Sequence, residues 1–188
     1  MSQTILFLSV DDLKENTTLN YNIEDKIVEG SIIDAQNIDI QAIIGTTLYE
    51  KLLNMVSIDN ISGNTSYKIL LENYIIPTQI KFAFRRALIS VYAKATNKSV
   101  STQTSDNSTP VDITILDKIR NEILDDCEYY SNRLKAYLYQ NQTDFTEYLN
   151  PNPDSRKDVI YPNKCDTYFS GIHVNNAWVG QSPWWTKQ

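Results

Sequence analysis

TQIKFAFRRALISVYAKA, residues 78–95, decides how the rest of the chain folds. Ile80, Phe84, Ala87, Leu88, Val91 and Ala95 recur at three-to-four spacing and line one face of a helix. Phe82, Ala83, Ile89 and Tyr92 widen that stripe until little of the surface is polar. A helix apolar nearly all round is a buried one, so residues 78–95 read as the central helix on which the others pack. Arg85 and Arg86 interrupt it and need either acids on a neighbouring element or subunit, or phosphate.

Upstream, Tyr67, Leu70, Leu71, Tyr74 and Ile75 form the stripe of a helix beginning near Ser66. Pro77 lacks an N–H and crowds the carbonyl of Asn73, which predicts a kink or a break there. Gly63 marks the loop from Ser57 to Thr65. Thr47-Leu48-Tyr49-Glu50 has the form of a capping box, followed by a short helix burying Leu48, Leu52 and Met55. Gly45 ends the helix before it. That helix runs from Ile23 to about Ile44, capped by Asn22, with Ile23, Ile27, Ile33 or Ala35, and Ile38 facing inward and Gly30 as a weak spot. At the start, Ser9 is an N-cap, and Ile5 to Leu8 are a short strand or an apolar anchor.

Downstream lies NKSVSTQTSDNSTP, residues 97–110, polar and dense in Ser and Thr. It is either slack or held by something outside the fold; its alternation suits a β-hairpin arm or an added edge strand. Val111 to about Gln140 is the longest helix, roughly 45 Å at about 1.5 Å per residue. Its stripe is Leu116, Ile119, Ile123, Cys127, Leu134 and Leu138, and Asp144 to Leu149 adds one more turn. From Asn150 the helical period is lost and the chain reads as an extended, aromatic-rich tail.

The fold class is therefore all-α: a small bundle of four to five helices over residues 1–149, a polar loop or arm at 97–110, and a tail over 150–188. Five glycines in 188 residues agree with helices rather than a turn-rich β fold. The formal charge of −6 argues against gripping nucleic acid through its phosphates. Cys127 and Cys165 have no metal-ligand spacing, and two cysteines fit a reducing cytoplasm. No apolar run approaches a membrane span, and the start lacks signal-peptide character.

No nucleotide, metal, hydrolase or other cofactor motif is present, and the reading is of a non-enzyme. The lone His173 reads as a surface or packing residue. Glu122, Asp125, Asp126 and Glu128 crowd one helix, the first three on one face, and read as a solvated acidic face rather than a metal site. Trp178, Trp184 and Trp185 mark either an inter-chain contact or a tail folded back on its own body.

Five stretches, SVDDLKENTTLNYNIEDKI, DAQNIDIQAIIGTTLYEKLL, YKILLENYIIPTQIKFAF, NKSVSTQTSDNSTP and EYYSNRLKAYL, together resemble the head–tail connector (adaptor) proteins of crAss-like phages and related Bacteroides phages. Their order and spacing over residues 9–140 carry the resemblance; no single motif does. It implies a ring, expected to be dodecameric, beneath the portal protein. Such a ring extends the DNA channel, docks a tail or second-ring protein, and lets genomic DNA pass without specific binding.

The implied location is the virion, after assembly in the host cytoplasm, with no membrane partner. The implied subunit and portal contacts are Lys98, Val100, Thr102, Thr104, Asp106 and Asn107 of the arm, and Tyr161, Tyr168, Phe169, Trp178, Trp184 and Trp185 of the tail. Arg85 and Arg86 are candidates for the DNA channel or for ion pairs between subunits. The competing expectation is a small helical binding or regulatory module that captures a protein through its Trp-rich tail.

Overall fold

The computed structural model describes residues 5–95, 100–102, 113–149, 160 and 162. Its body is all-helical. The α-helices are α1 (Val10–Glu15), α2 (Asp25–Asp34), α3 (Gln41–Ile44), α4 (Thr46–Ser57), α5 (Thr65–Leu70), α6 (Ile76–Tyr92), α7 (Ile113–Gln140) and α8 (Thr146–Leu149). Two π-helical segments fuse some of these into longer rods: Ala35–Ile40 joins α2 to α3, and Leu71–Ile75 joins α5 to α6. The described residues thus contain six continuous helices, and a short 3-10 turn at Ile61–Gly63.

α6 is the central element, as its composition predicts, but it is not buried all round: Ile89, expected in the apolar stripe, is exposed. It packs on α7, on α2 and on both π segments. Thr78, Gln79, Ile80, Ala83 and Ala87 are buried along it. It stops at Tyr92, three residues short of the expected end, because Ala93–Ala95 leaves the helix as strand β1. Two apolar clusters flank it. One joins Ile40, Ile44, Leu48, Leu52, Leu70 and Ile75 to Leu134 and Leu138 of α7 and to Phe145. The other packs Leu8, Leu13, Leu19, Val28, Ile32 and Ala35 against Ile80, Ala83 and Ala87.

Pro77 neither breaks the rod nor starts a new helix; helical backbone is continuous through it. The wide turn before it takes up the disruption. Ile76 N–H bonds the Leu71 carbonyl five residues back, and the Thr78 hydroxyl donates to the Tyr74 carbonyl at 2.6 Å. Val28, Ile32, Ala35, Gln36 and Ile40 are buried and define the inner face of the rod that contains the first π segment. Ile38, expected inside, lies off this face and is 54% exposed.

Three terminal signals resolve differently. Ser9 does cap α1, its hydroxyl accepting from Asp12 N–H at 3.0 Å. Asn22 does not cap α2, which starts at Asp25 behind Glu24 without a side-chain cap. The capping box at Thr47–Glu50 is not formed: α4 begins one residue earlier, at Thr46, behind Gly45. Gly45 ends α3 at φ +80°, as expected of glycine there. Residues 5–8 form no strand; Phe7 and Leu8 are buried as anchors, one in each cluster.

Candidate functional site

The segment linking α6 and α7 has a built base. Strand β1 (Ala93–Ala95) pairs antiparallel with β2 (Val100–Thr102), in the register Ala93 with Thr102, Lys94 with Ser101 and Ala95 with Val100. Val100 and Thr102, expected on a contact arm, lie in this ladder. Lys98, Thr104, Asp106 and Asn107 fall outside the described residues. The ladder starts before the polar stretch itself. An all-helical reading of residues 78–95 hides it, since Ala93-Lys94-Ala95 carries no β signal.

Of the expected docking tail, Tyr161, Tyr168, Phe169, Trp178, Trp184 and Trp185 also lie outside the described residues. Ile160 and Pro162 lie on the chain's own body. Thr46 N–H donates to the Ile160 carbonyl at 2.9 Å, and Ile160 N–H donates to Thr46 Oγ1 at 2.8 Å. Gln41 Nε2 donates to the same Thr46 hydroxyl at 3.2 Å. Pro162 packs on Gly45 so closely that a Cβ there would sit 2.7 Å from its Cδ. Gly45 therefore serves twice, as a helix terminator and as a seat for Ile160 and Pro162.

The two sequence-adjacent arginines part company. Arg86 makes a bidentate pair with Asp39 of the first π segment, Nε to Oδ2 at 2.8 Å and Nη2 to Oδ1 at 3.1 Å. These bonds, set against partial burial, push its pKa above the ordinary arginine value. Arg85 has no ion pair among the described residues, and its Nε is buried without a hydrogen-bond partner.

Both arginines border a cleft of about 290 Å³ between α2, α6 and the start of α7, shared with Ser31, Asp34, Ile89 and Arg120. The Arg120 Nε is also buried without a partner, while its Nη1 lies 3.6 Å from Asp117. Arg120 is not legible as part of a site in sequence, standing 35 residues beyond Arg85 on another helix.

The acidic residues of α7 do not converge. Asp126 pairs with Lys81 at 3.0 Å. Glu122, Asp125 and Glu128 are exposed, and no group of three metal-ligating side chains forms among the described residues. Cys127 is a free, buried thiol, its pKa pushed up to about 11 chiefly by burial. No helix of the described residues is long and apolar enough to cross a membrane.

Several framework interactions have no sequence signature. Lys14 is 4% exposed and its ammonium donates to the Tyr21 and Ile23 carbonyls and to Asp25, fixing the turn between α1 and α2. Lys51 and Tyr67 both donate to Glu147, which fastens α8 to α4 and α5.

The chain belongs to a protein family of unknown function, DUF6712, whose model matches residues 40–157. That match takes in the helical body from the end of the first π segment to just past α8. No curated protein and no solved structure matches the chain.

Proposed function

We propose that this chain is a structural subunit of a phage head–tail connector, without catalytic activity. Copies assemble as a ring beneath the portal, extend the DNA channel and present a docking surface to tail components. The resemblance of five ordered stretches to connector proteins motivates this reading. The observation that carries it furthest is the β1–β2 ladder. It roots the polar segment in the buried central helix on one side and leads to the longest helix on the other. A polar excursion with so firm a base is suited to reach another subunit rather than to hang slack.

Charge supports the conduit. A formal charge of −6 gives a ring that repels DNA phosphates, so the genome slides past without binding. Ile160 and Pro162 lie at the start of α4, which leaves the aromatic remainder of the chain as the segment for portal or neighbour contact. Negative-stain microscopy and mass photometry, with and without the portal protein of the same phage, test the reading. Closed rings with a central channel are expected. A monomer indifferent to the portal overturns it and favours a small binding module instead.

A further inference from the structure

We propose that the cleft around Arg85 and Arg120 receives carboxylates from a second copy of this chain, presented by Glu122, Asp125 and Glu128 of α7. The choice of a second copy rests on the ring reading above; the electrostatic mismatch does not.

The mismatch begins with Arg85. Arg86 is satisfied by Asp39, and Arg120 has Asp117 nearby, itself well exposed. Arg85 has no acid partner among the described residues, yet its Nε is withdrawn from solvent, as is that of Arg120. Asp34, exposed at the cleft, is the one carboxylate among the described lining residues. Partly buried guanidinium N–H groups with no acceptor carry a desolvation cost that an incoming carboxylate removes.

The surroundings select a protein over a phosphate chain. Ile89 lines the cleft and is 43% exposed. Ile119, next to Arg120 in sequence, is exposed although periodicity puts it in the inner stripe of α7, and Ile115 a turn earlier is exposed too. Arginine set among exposed isoleucines is the composition of a protein contact, and the acidity of the chain disfavours DNA.

This chain carries the complement. Glu122, Asp125 and Glu128 are exposed and make no ion pair among the described residues. They project from the side of α7 opposite Ile123, Cys127 and Leu134, which are buried. Arg120 sits on the inner side of the same helix. One chain cannot bring its own row to its own cleft, so the two patches meet only between copies. Two different patches meeting head to tail generate a ring when the rotation closes.

The test uses the full chain and charge exchange. Arg85→Glu, and separately the pair Glu122→Lys with Asp125→Lys, raise the midpoint concentration for assembly by at least about thirtyfold in mass photometry. All three substitutions in one chain return it to within about threefold of the parent. Arg85→Gln gives the same loss without charge reversal and serves if Arg85→Glu melts early by circular dichroism.

Assembly unaffected by Arg85→Gln or Arg85→Glu overturns the contact and leaves the ring reading standing. Loss without rescue by the exchanged set overturns the acidic row as the occupant. Assembly that depends on Arg85 but forms no closed ring upholds the contact and removes the ring. A parent chain that stays monomeric at every concentration overturns both.

Discussion

Gln79 of α6 donates to Oε1 of Gln36 at 3.3 Å, while its own carbonyl Oε1 is buried with no hydrogen-bond partner. Gln36 is the opposite case. Its Oε1 also accepts from Phe7 N–H at 2.9 Å, and its Nε2 donates to the Ile5 carbonyl at 2.9 Å and to the Tyr49 hydroxyl at 3.1 Å. Two buried amides in contact are thus not equivalent. Gln79→Met removes two weak bonds, to Gln36 at 3.3 Å and to the Ile32 carbonyl at 3.5 Å, together with an unsatisfied acceptor, and is expected to change stability by less than about 1 kcal/mol in either sign. Gln36→Met strands the backbone of the N-terminal anchor and is expected to cost about 2–4 kcal/mol. Urea denaturation of the two variants distinguishes them; equal losses would mean that Gln36 does not organise this node.

The π segments explain why part of the fold was legible and part was not. Periodicity identifies the central helix, the long α7 and the all-α class because each has a stripe at ordinary helical spacing. It misplaces Ile38 because the inner face of the rod runs through Ala35, Gln36 and Ile40, and a buried glutamine gives no apolar signal for that face. Pro77 is visible as a disturbance, but whether a helix breaks or widens is decided by tertiary packing. At the arginine cleft, Arg85 and Arg86 stand out among apolar neighbours. That Arg86 is paired, while Arg85 has no acid partner among the described residues, depends on Asp39, some 47 residues away from Arg86. Such long-range partners have no spacing rule.

Gly45 carries a sharper constraint than helix termination. At φ +80°, with Pro162 Cδ 2.7 Å and the Ile160 carbonyl oxygen 3.3 Å from any added Cβ, alanine meets both backbone strain and a collision. Gly45→Ala is expected to lower stability by about 1–3 kcal/mol. Thr46→Val keeps the shape and removes the hydroxyl that accepts from Ile160 and Gln41, at an expected cost of about 1 kcal/mol. Thermal melts of both check this. A Gly45→Ala protein as stable as the parent would mean that Ile160 and Pro162 do not rest there in solution.

Cys127 supplies a clock for opening of the α6–α7 contact. It is fully buried and burial pushes its thiol up to about 11, so little thiolate exists at neutral pH. In a Cys165→Ser background, reaction of Cys127 with a disulfide reagent at pH 8 is expected to be at least about a hundredfold slower than in denaturant, following the population of the open state. A rate close to that of the unfolded chain would show that this core is not closed.

Lys51, Tyr67 and Glu147 predict how stability responds to pH. Burial alone would raise the Glu147 pKa. Hydrogen bonds from Lys51, from backbone and from Tyr67 outweigh it, and the carboxyl ends below its ordinary value. A depressed folded-state pKa contributes stability that is present above the unfolded value and lost as pH falls through the folded one. The protein should therefore weaken below about pH 4.5, the ordinary range of a glutamate.

Tyr67 is raised, by burial first, and Lys51 is raised because its bonds to Glu147 and Tyr67 exceed its desolvation. Both contributions are complete below about pH 10 and are lost as pH climbs through the raised values. Glu147→Gln should flatten the acid limb and shrink the alkaline one, while lowering stability at pH 7 by about 1–2 kcal/mol. Urea midpoints from about pH 3 to about pH 12 measure this; an acid limb unchanged in Glu147→Gln would assign the acid sensitivity to other carboxylates.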